Sequence, residues 1–245
     1  MNQKAGSGKL SVMMLVLGIA ALAMRWGLYA TAVDAKGLLL RDQPLGIALM
    51  VLTACVLFRI ALLVRKGKNA DCCERYGTGG LAGAFGNVAA GAGILTTVLT
   101  GAPAMEGYLA SAWRILGVAA PACLLLAGML LVFGKRPFFL LHVVPSLFFL
   151  VHIVTRYQLW SAHPQMQDYV FALLGAMALM FFGFYTAALE ADCGNSGMRL
   201  GMGLAAVYLC MAELARSSCP ALYLGGILWV LTDLGRNRAD SPDEV

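Results

Sequence analysis

Residues 109–133 read LASAWRILGVAAPACLLLAGMLLVF, twenty-five residues with a single charge, Arg114. As a helix, a run of that length reaches about 37 Å at 1.5 Å per residue. That is enough to cross the roughly 30 Å hydrocarbon layer of a bilayer. A helix satisfies its own backbone polar groups, so it suits a solvent that offers no hydrogen bonds. The stretch therefore reads as a transmembrane helix. The chain repeats the pattern.

Working outward, comparable apolar blocks run over Leu10 to Val33, Leu45 to Val64, Gly79 to Leu99, Phe138 to Thr155, Tyr169 to Leu189, Met198 to Ala215 and Ala221 to Leu234. With the first, these make eight, and the fold class they imply is an all-α, polytopic helical membrane bundle of about eight spans in one domain. Hydrophobic residues make up 60% of the 245 and charged ones 13%, about half the charge of a typical soluble domain. A membrane β-barrel would show alternating segments of about ten residues, and these are absent. The last two blocks are the shortest. Arg216-Ser-Ser-Cys-Pro220 joins them too tightly for anything but a hairpin, with a re-entrant pair as the alternative to two full spans.

Loop charge sets the orientation, because Lys and Arg gather on the cytoplasmic side. Eleven fall on one side: Lys4, Lys9, Arg65, Lys66, Lys68, Arg75, Lys135, Arg136, Arg199, Arg236 and Arg238. The other has six: Lys36, Arg41, Arg156 and Arg216, with Arg25 and Arg114 just inside the edge. Both termini are therefore expected in the cytoplasm, in a multi-pass protein of the cell membrane. Ala30-Thr31-Ala32 has the form of a signal-peptide cleavage site, but Arg25, Trp26 and Tyr29 interrupt the approach, so the first block is read as a retained span. A loose echo between Arg25 with Arg41-Asp42-Gln43 and Arg156 with Gln165 to Asp168 hints at duplication, but the other blocks do not match.

The net charge of +5 is dispersed at segment ends, with no basic run of the kind that binds nucleic acid. Seven cysteines (Cys55, Cys72, Cys73, Cys123, Cys193, Cys210, Cys219) include no CxxC pair and read as free thiols. Ala5 to Ser11 contains part of a phosphate-loop pattern without its upstream glycine or strand. No cofactor or metal site is expected. His142 and His152, either side of Pro145, point about 80° apart by helical geometry.

Ionisable groups within spans are costly and mark candidate sites. Arg25, Arg114 and Arg156 each lie near a tryptophan at the same predicted boundary, His152 is four residues before Arg156, and Glu213 has a similar depth. Together they suggest an outward-facing pocket in which guanidinium groups grip an anionic solute or a lipid headgroup. The plain alternative is an interfacial Trp belt with snorkelling arginines. Glu213 is expected to pair with an arginine, Arg216 being the nearest in sequence. Gly79, Gly83, Asn87 and Gly91 recur every four residues, a spacing that lets helices approach closely. That face suggests helix packing or a docking surface for an oligomer, with Asn87 a possible solute contact. Arg59, Glu190 and Asp233 read as ordinary boundary charges. A small-solute transporter is the leading expectation. A lipid-handling intramembrane enzyme and a non-catalytic partner subunit are the alternatives.

Overall fold

The computed structural model describes residues 4–32, 43–66, 80–101, 107–161 and 169–239. Within them are eight helices: α1 (Lys4–Thr31), α2 (Pro44–Lys66), α3 (Leu81–Thr100), α4 (Tyr108–Val132), α5 (Leu140–Trp160), α6 (Val170–Glu190), α7 (Ser196–Glu213) and α8 (Pro220–Ala239). The loop residues Lys36, Arg41, Asp42, Lys68, Cys72, Cys73, Arg75, His163, Gln165 and Asp168 lie outside the described residues, as do Gly79 and the acidic tail. Helices α1 to α6 are long and apolar enough to cross a membrane. The chain is a helical membrane bundle. Helix α7 falls short of that standard because it carries Arg199 and Glu213, and α8 because its apolar part ends at Gly235.

Side-chain pairings fix the helix directions. Gly27 of α1 lies against Leu45 of α2, and a methyl on Gly128, near the end of α4, would sit 3.3 Å from the carbonyl oxygen of Ala84, near the start of α3. The start of α5 meets the end of α6 through His142 and Glu190, and the start of α7 meets the end of α8 through Arg199 and Asp233. Successive helices therefore run alternately up and down. One end of the bundle carries the start of α1 and the end of α8. The other, the hairpin end, carries the α7–α8 turn. Helix α8 runs along α3, from Ala221 beside Gly93 to Thr232 beside Gly86.

Six helices close into a ring in the order α3, α4, α5, α6, α7, α8, with α8 returning to α3. Helices α1 and α2 pack outside it, chiefly on α7, where the Thr53 and Tyr208 hydroxyls share a 2.9 Å hydrogen bond. The contact between α3 and α8 is the most intimate. A methyl added to Gly225 would lie 2.5 Å from the Ala89 carbonyl oxygen, and one on Gly93 would collide with that of Ala221. Lipid offers no hydrophobic drive for helix association, so small residues that let backbones touch supply the dispersion contacts instead. The glycine-rich face of α3 is thus occupied within the chain. Gly83 and Gly91 are buried rather than presented to a second copy.

The middle of the ring is filled. Trp229 of α8 lies edge-on to Phe182 of α6, with ring centroids 5.2 Å apart and planes at 84°. Tyr223 donates to the Ala172 carbonyl at 3.2 Å, and Phe148, Leu124, Ile94 and Leu179 close around them. Large apolar side chains that remain exposed, among them Val16, Met50, Phe58, Ile115, Val118 and Phe184, face outward as a lipid-compatible belt.

Candidate functional site

At the hairpin end the structure brings together only part of the expected pocket. Arg25, 3% exposed, donates through Nη1 to Glu213, 4% exposed, in a short buried ion pair. The same nitrogen reaches the Ala212 carbonyl at 3.1 Å, and the guanidinium lies 4.9 Å from the centre of the Phe171 ring. Glu213 is therefore paired with Arg25, from 188 residues away. Arg216 lies over the ring of Tyr29 at 4.7 Å. A lone buried carboxylate or guanidinium is strongly unfavourable in a low dielectric, and mutual pairing removes most of that cost.

The other members of the set separate. Arg156 is half-buried, with Nη2 3.1 Å from the Cys219 sulfur and its guanidinium 5.8 Å from the Trp160 ring centre. His152 is buried, and its Nδ1 accepts from Trp113 Nε1 at 3.3 Å. Phe148 and Trp113 stack against its ring. Arg114, next to Trp113 in sequence, is exposed, because one residue's step along a helix turns a side chain by about 100°. Of these residues Arg25 and Glu213 are brought into contact, and among the described residues at this end the charge of Arg25 is matched by Glu213. Arg114 is exposed, and the half-buried Arg156 turns to Cys219 and Trp160.

The other end holds a second polar layer that the sequence reading treated as boundary charge. Glu190 is not at a solvated edge: its side chain is 1% exposed and its Oε2 lies 2.8 Å from His142 Nδ1. The other ring nitrogen of His142 is 3.3 Å from Asn87 Oδ1, while Asn87 Nδ2 donates to the Gly83 carbonyl at 3.1 Å. Ser146 Oγ donates to the His142 carbonyl at 2.9 Å, and Trp229 stacks flat on the imidazole, 5.9 Å away and tilted by 8°. Asp233, one turn beyond Trp229, is buried and paired with Arg199 at 2.5 Å. Arg199 is therefore an internal partner and not a loop charge that marks topology. The Glu190 Oε1 and Thr186 Oγ1 atoms are buried with no hydrogen-bond partner.

The signal missed was one of facing. Glu190 and Asp233 fall at helix ends, where a charge normally reaches water. Only the packing of α5 on α6 and of α7 on α8 reveals that both are covered. Asn87 was identified in the sequence as a costly polar residue, but its partner was not, because His142 is 55 residues away. Among the described residues no group of three or more His, Cys, Asp or Glu is placed to hold a metal ion, and the five described cysteines are free.

An all-helical bundle with several apolar spans and buried charge pairs at both ends is a multi-pass membrane protein. No known protein family, curated protein or solved structure matches the chain.

Proposed function

We propose that the chain is an eight-span carrier for a small solute in the cell membrane, with both termini cytoplasmic and an anion-recognising entrance at the hairpin end. One arrangement carries the reading. Two buried polar layers lie at opposite ends of the bundle, Arg25 with Glu213 between α1 and α7 and Asn87, His142 and Glu190 between α3, α5 and α6, with the apolar residues Phe148, Leu179, Phe182 and Trp229 in the core between them. Polar groups are expensive inside a bilayer, and a purely structural bundle gains nothing by placing them at both ends of its interior. A carrier needs polar contacts on either side of an occluding layer. Arg156 is a hairpin-end cation suited to meeting an anion, since Arg can grip carboxylate or phosphate through two parallel hydrogen bonds. The excess of Lys and Arg at the end opposite the α7–α8 turn supports its cytoplasmic assignment. Internal use of the α3 glycine face weakens the case for a partner subunit that docks through it.

The test is uptake into proteoliposomes by the purified full chain, with inorganic phosphate, sulfate and acetate as labelled probes. Saturable uptake of one of them, reduced at least tenfold in Arg156→Gln, is the expected result. No saturable uptake of any probe, together with turnover or headgroup exchange of the surrounding phospholipid, would replace the carrier reading with lipid-handling chemistry.

A further inference from the structure

We infer that Asn87, His142 and Glu190 form a binding site for one exchangeable proton, buried in the ring at the end opposite the α7–α8 turn. The argument is a count of hydrogens. His142 Nδ1 faces a carboxylate oxygen at 2.8 Å and Nε2 faces Asn87 Oδ1 at 3.3 Å. The Asn87 amide cannot present its NH2 group to the ring instead, because Nδ2 is engaged by the Gly83 carbonyl. Both ring nitrogens therefore meet acceptors. A neutral imidazole carries one N–H and can fill one of the two contacts. With Glu190 ionised, the other contact then lacks a hydrogen, and the pair carries a net negative charge in an apolar interior.

One added proton repairs both defects. On Nδ1 it gives an imidazolium–carboxylate pair. On Glu190 Oε2 it gives a carboxylic acid that donates to Nδ1, while Nε2–H donates to Asn87. The two forms contain the same atoms and differ only in where the proton sits, so the net charge of the pair is zero in both. The site thus binds one proton, and its release leaves one unit of negative charge.

A second observation points to the atoms through which a proton would exchange. Glu190 Oε1 has no partner although the side chain is 1% exposed, and Thr186 Oγ1, one turn earlier on the same face of α6, also has none. These two atoms can receive and pass on a proton without breaking the contacts to His142. Among the described residues, the groups around the site do not replace the proton. From α3 comes only Asn87, and from α8 come the neutral Trp229 and, one turn farther, Asp233, which Arg199 of α7 already holds. Helix α4 brings no ionisable side chain to this end. The exposed Arg136 and Asp192 pair with each other at 3.6 Å. Asp192 follows Glu190 by two residues, so the surface is near. If the chain is the carrier proposed above, this proton is its coupling ion; the site itself does not depend on that reading.

The chain has three histidines, so nitrogen NMR of the full-length wild-type protein, labelled with ¹⁵N-histidine in nanodiscs, resolves the question. His142 is assigned by exclusion with His152→Gln and His163→Gln. The expected result is reversible loading of one proton as pH is lowered. It appears either as two ring N–H groups or as one N–H with Nδ1 strongly hydrogen-bonded, and Glu190→Gln abolishes the response. A His142 ring that stays neutral with an unshared Nδ1 at every pH at which the fold survives overturns the inference, and needs no variant to do so. Proteoliposome uptake then separates the two proposals. Uptake driven by a proton gradient and lost in Glu190→Gln supports coupling. Proton loading in the NMR experiment alongside gradient-independent uptake refutes coupling while the site stands.

Discussion

Replacing Glu213 by Gln tests whether the hairpin end is held by a buried ion pair. The amide keeps the size of the carboxylate but removes its charge, which leaves Arg25 at 3% exposure with no counter-ion in that contact. Breaking a buried pair from one side costs about 3–5 kcal/mol. Arg25 keeps the Ala212 carbonyl at 3.1 Å and the faces of Phe171 and Tyr29 at 4.9 and 5.7 Å, and a desolvated cation–π contact contributes about 2 kcal/mol. The expected loss is therefore at the low end, about 3 kcal/mol. For a chain of this length it lowers the melting temperature by roughly 6–12 °C, at about 2–4 °C per kcal/mol. Cys210 and Cys219 are buried and free, so once the exposed Cys55 and Cys193 are replaced by Ser, a thiol-reactive fluorophore reports unfolding of the detergent-solubilised chain. The double variant Arg25→Met with Glu213→Leu removes both charges and is expected to recover most of the loss, since apolar replacement of a buried pair is often neutral or stabilising. A single variant that melts with wild type would show that the pair is not buried as described. A double variant as unstable as the single would show that charge is not the cause.

Two further outcomes follow from the packing. Gly225→Ala forces α8 away from the Ala89 carbonyl and is expected to cost about 1–3 kcal/mol by overpacking. Gly235→Ala, on the same helix with nothing within 4 Å, is expected to be neutral or slightly stabilising, and equal effects from the two in the same melt would contradict the close α3–α8 approach. Asp233→Asn is expected to destabilise by about as much as Glu213→Gln, by stripping Arg199 of its counter-ion. Because the two pairs sit at opposite ends of α7, the combined variant should be additive within about 0.5 kcal/mol, and strong non-additivity would place them in one network.

Much of this protein was legible in its sequence because a bilayer is an exacting solvent. Long uncharged runs such as 109–133 have to be helices there, so the helix count, and the antiparallel order imposed by short turns, follow from composition and length alone. The polar residues that cost most, Arg25, Asn87, His142, His152 and Glu213, were visible for the same reason. Their partners were not. Arg25 and Glu213 are 188 residues apart, and Asn87 and His142 are 55 apart. Nothing local distinguishes Arg114, which faces outward, from Arg25, which faces in. The common depth of the arginines suggested a single anion pocket, but depth gives one coordinate, and the rotation of each helix about its own axis supplies the other. That rotation is set by which glycines meet which carbonyls between α3 and α8 and by how α5 packs on α6. The same packing covers Glu190 and Asp233, helix-end charges that a sequence places in water. The sequence by itself determined the solvent, the helices and the list of costly side chains. Only the tertiary structure decided which of them face one another, because pairing depends on contacts between helices that no local pattern encodes.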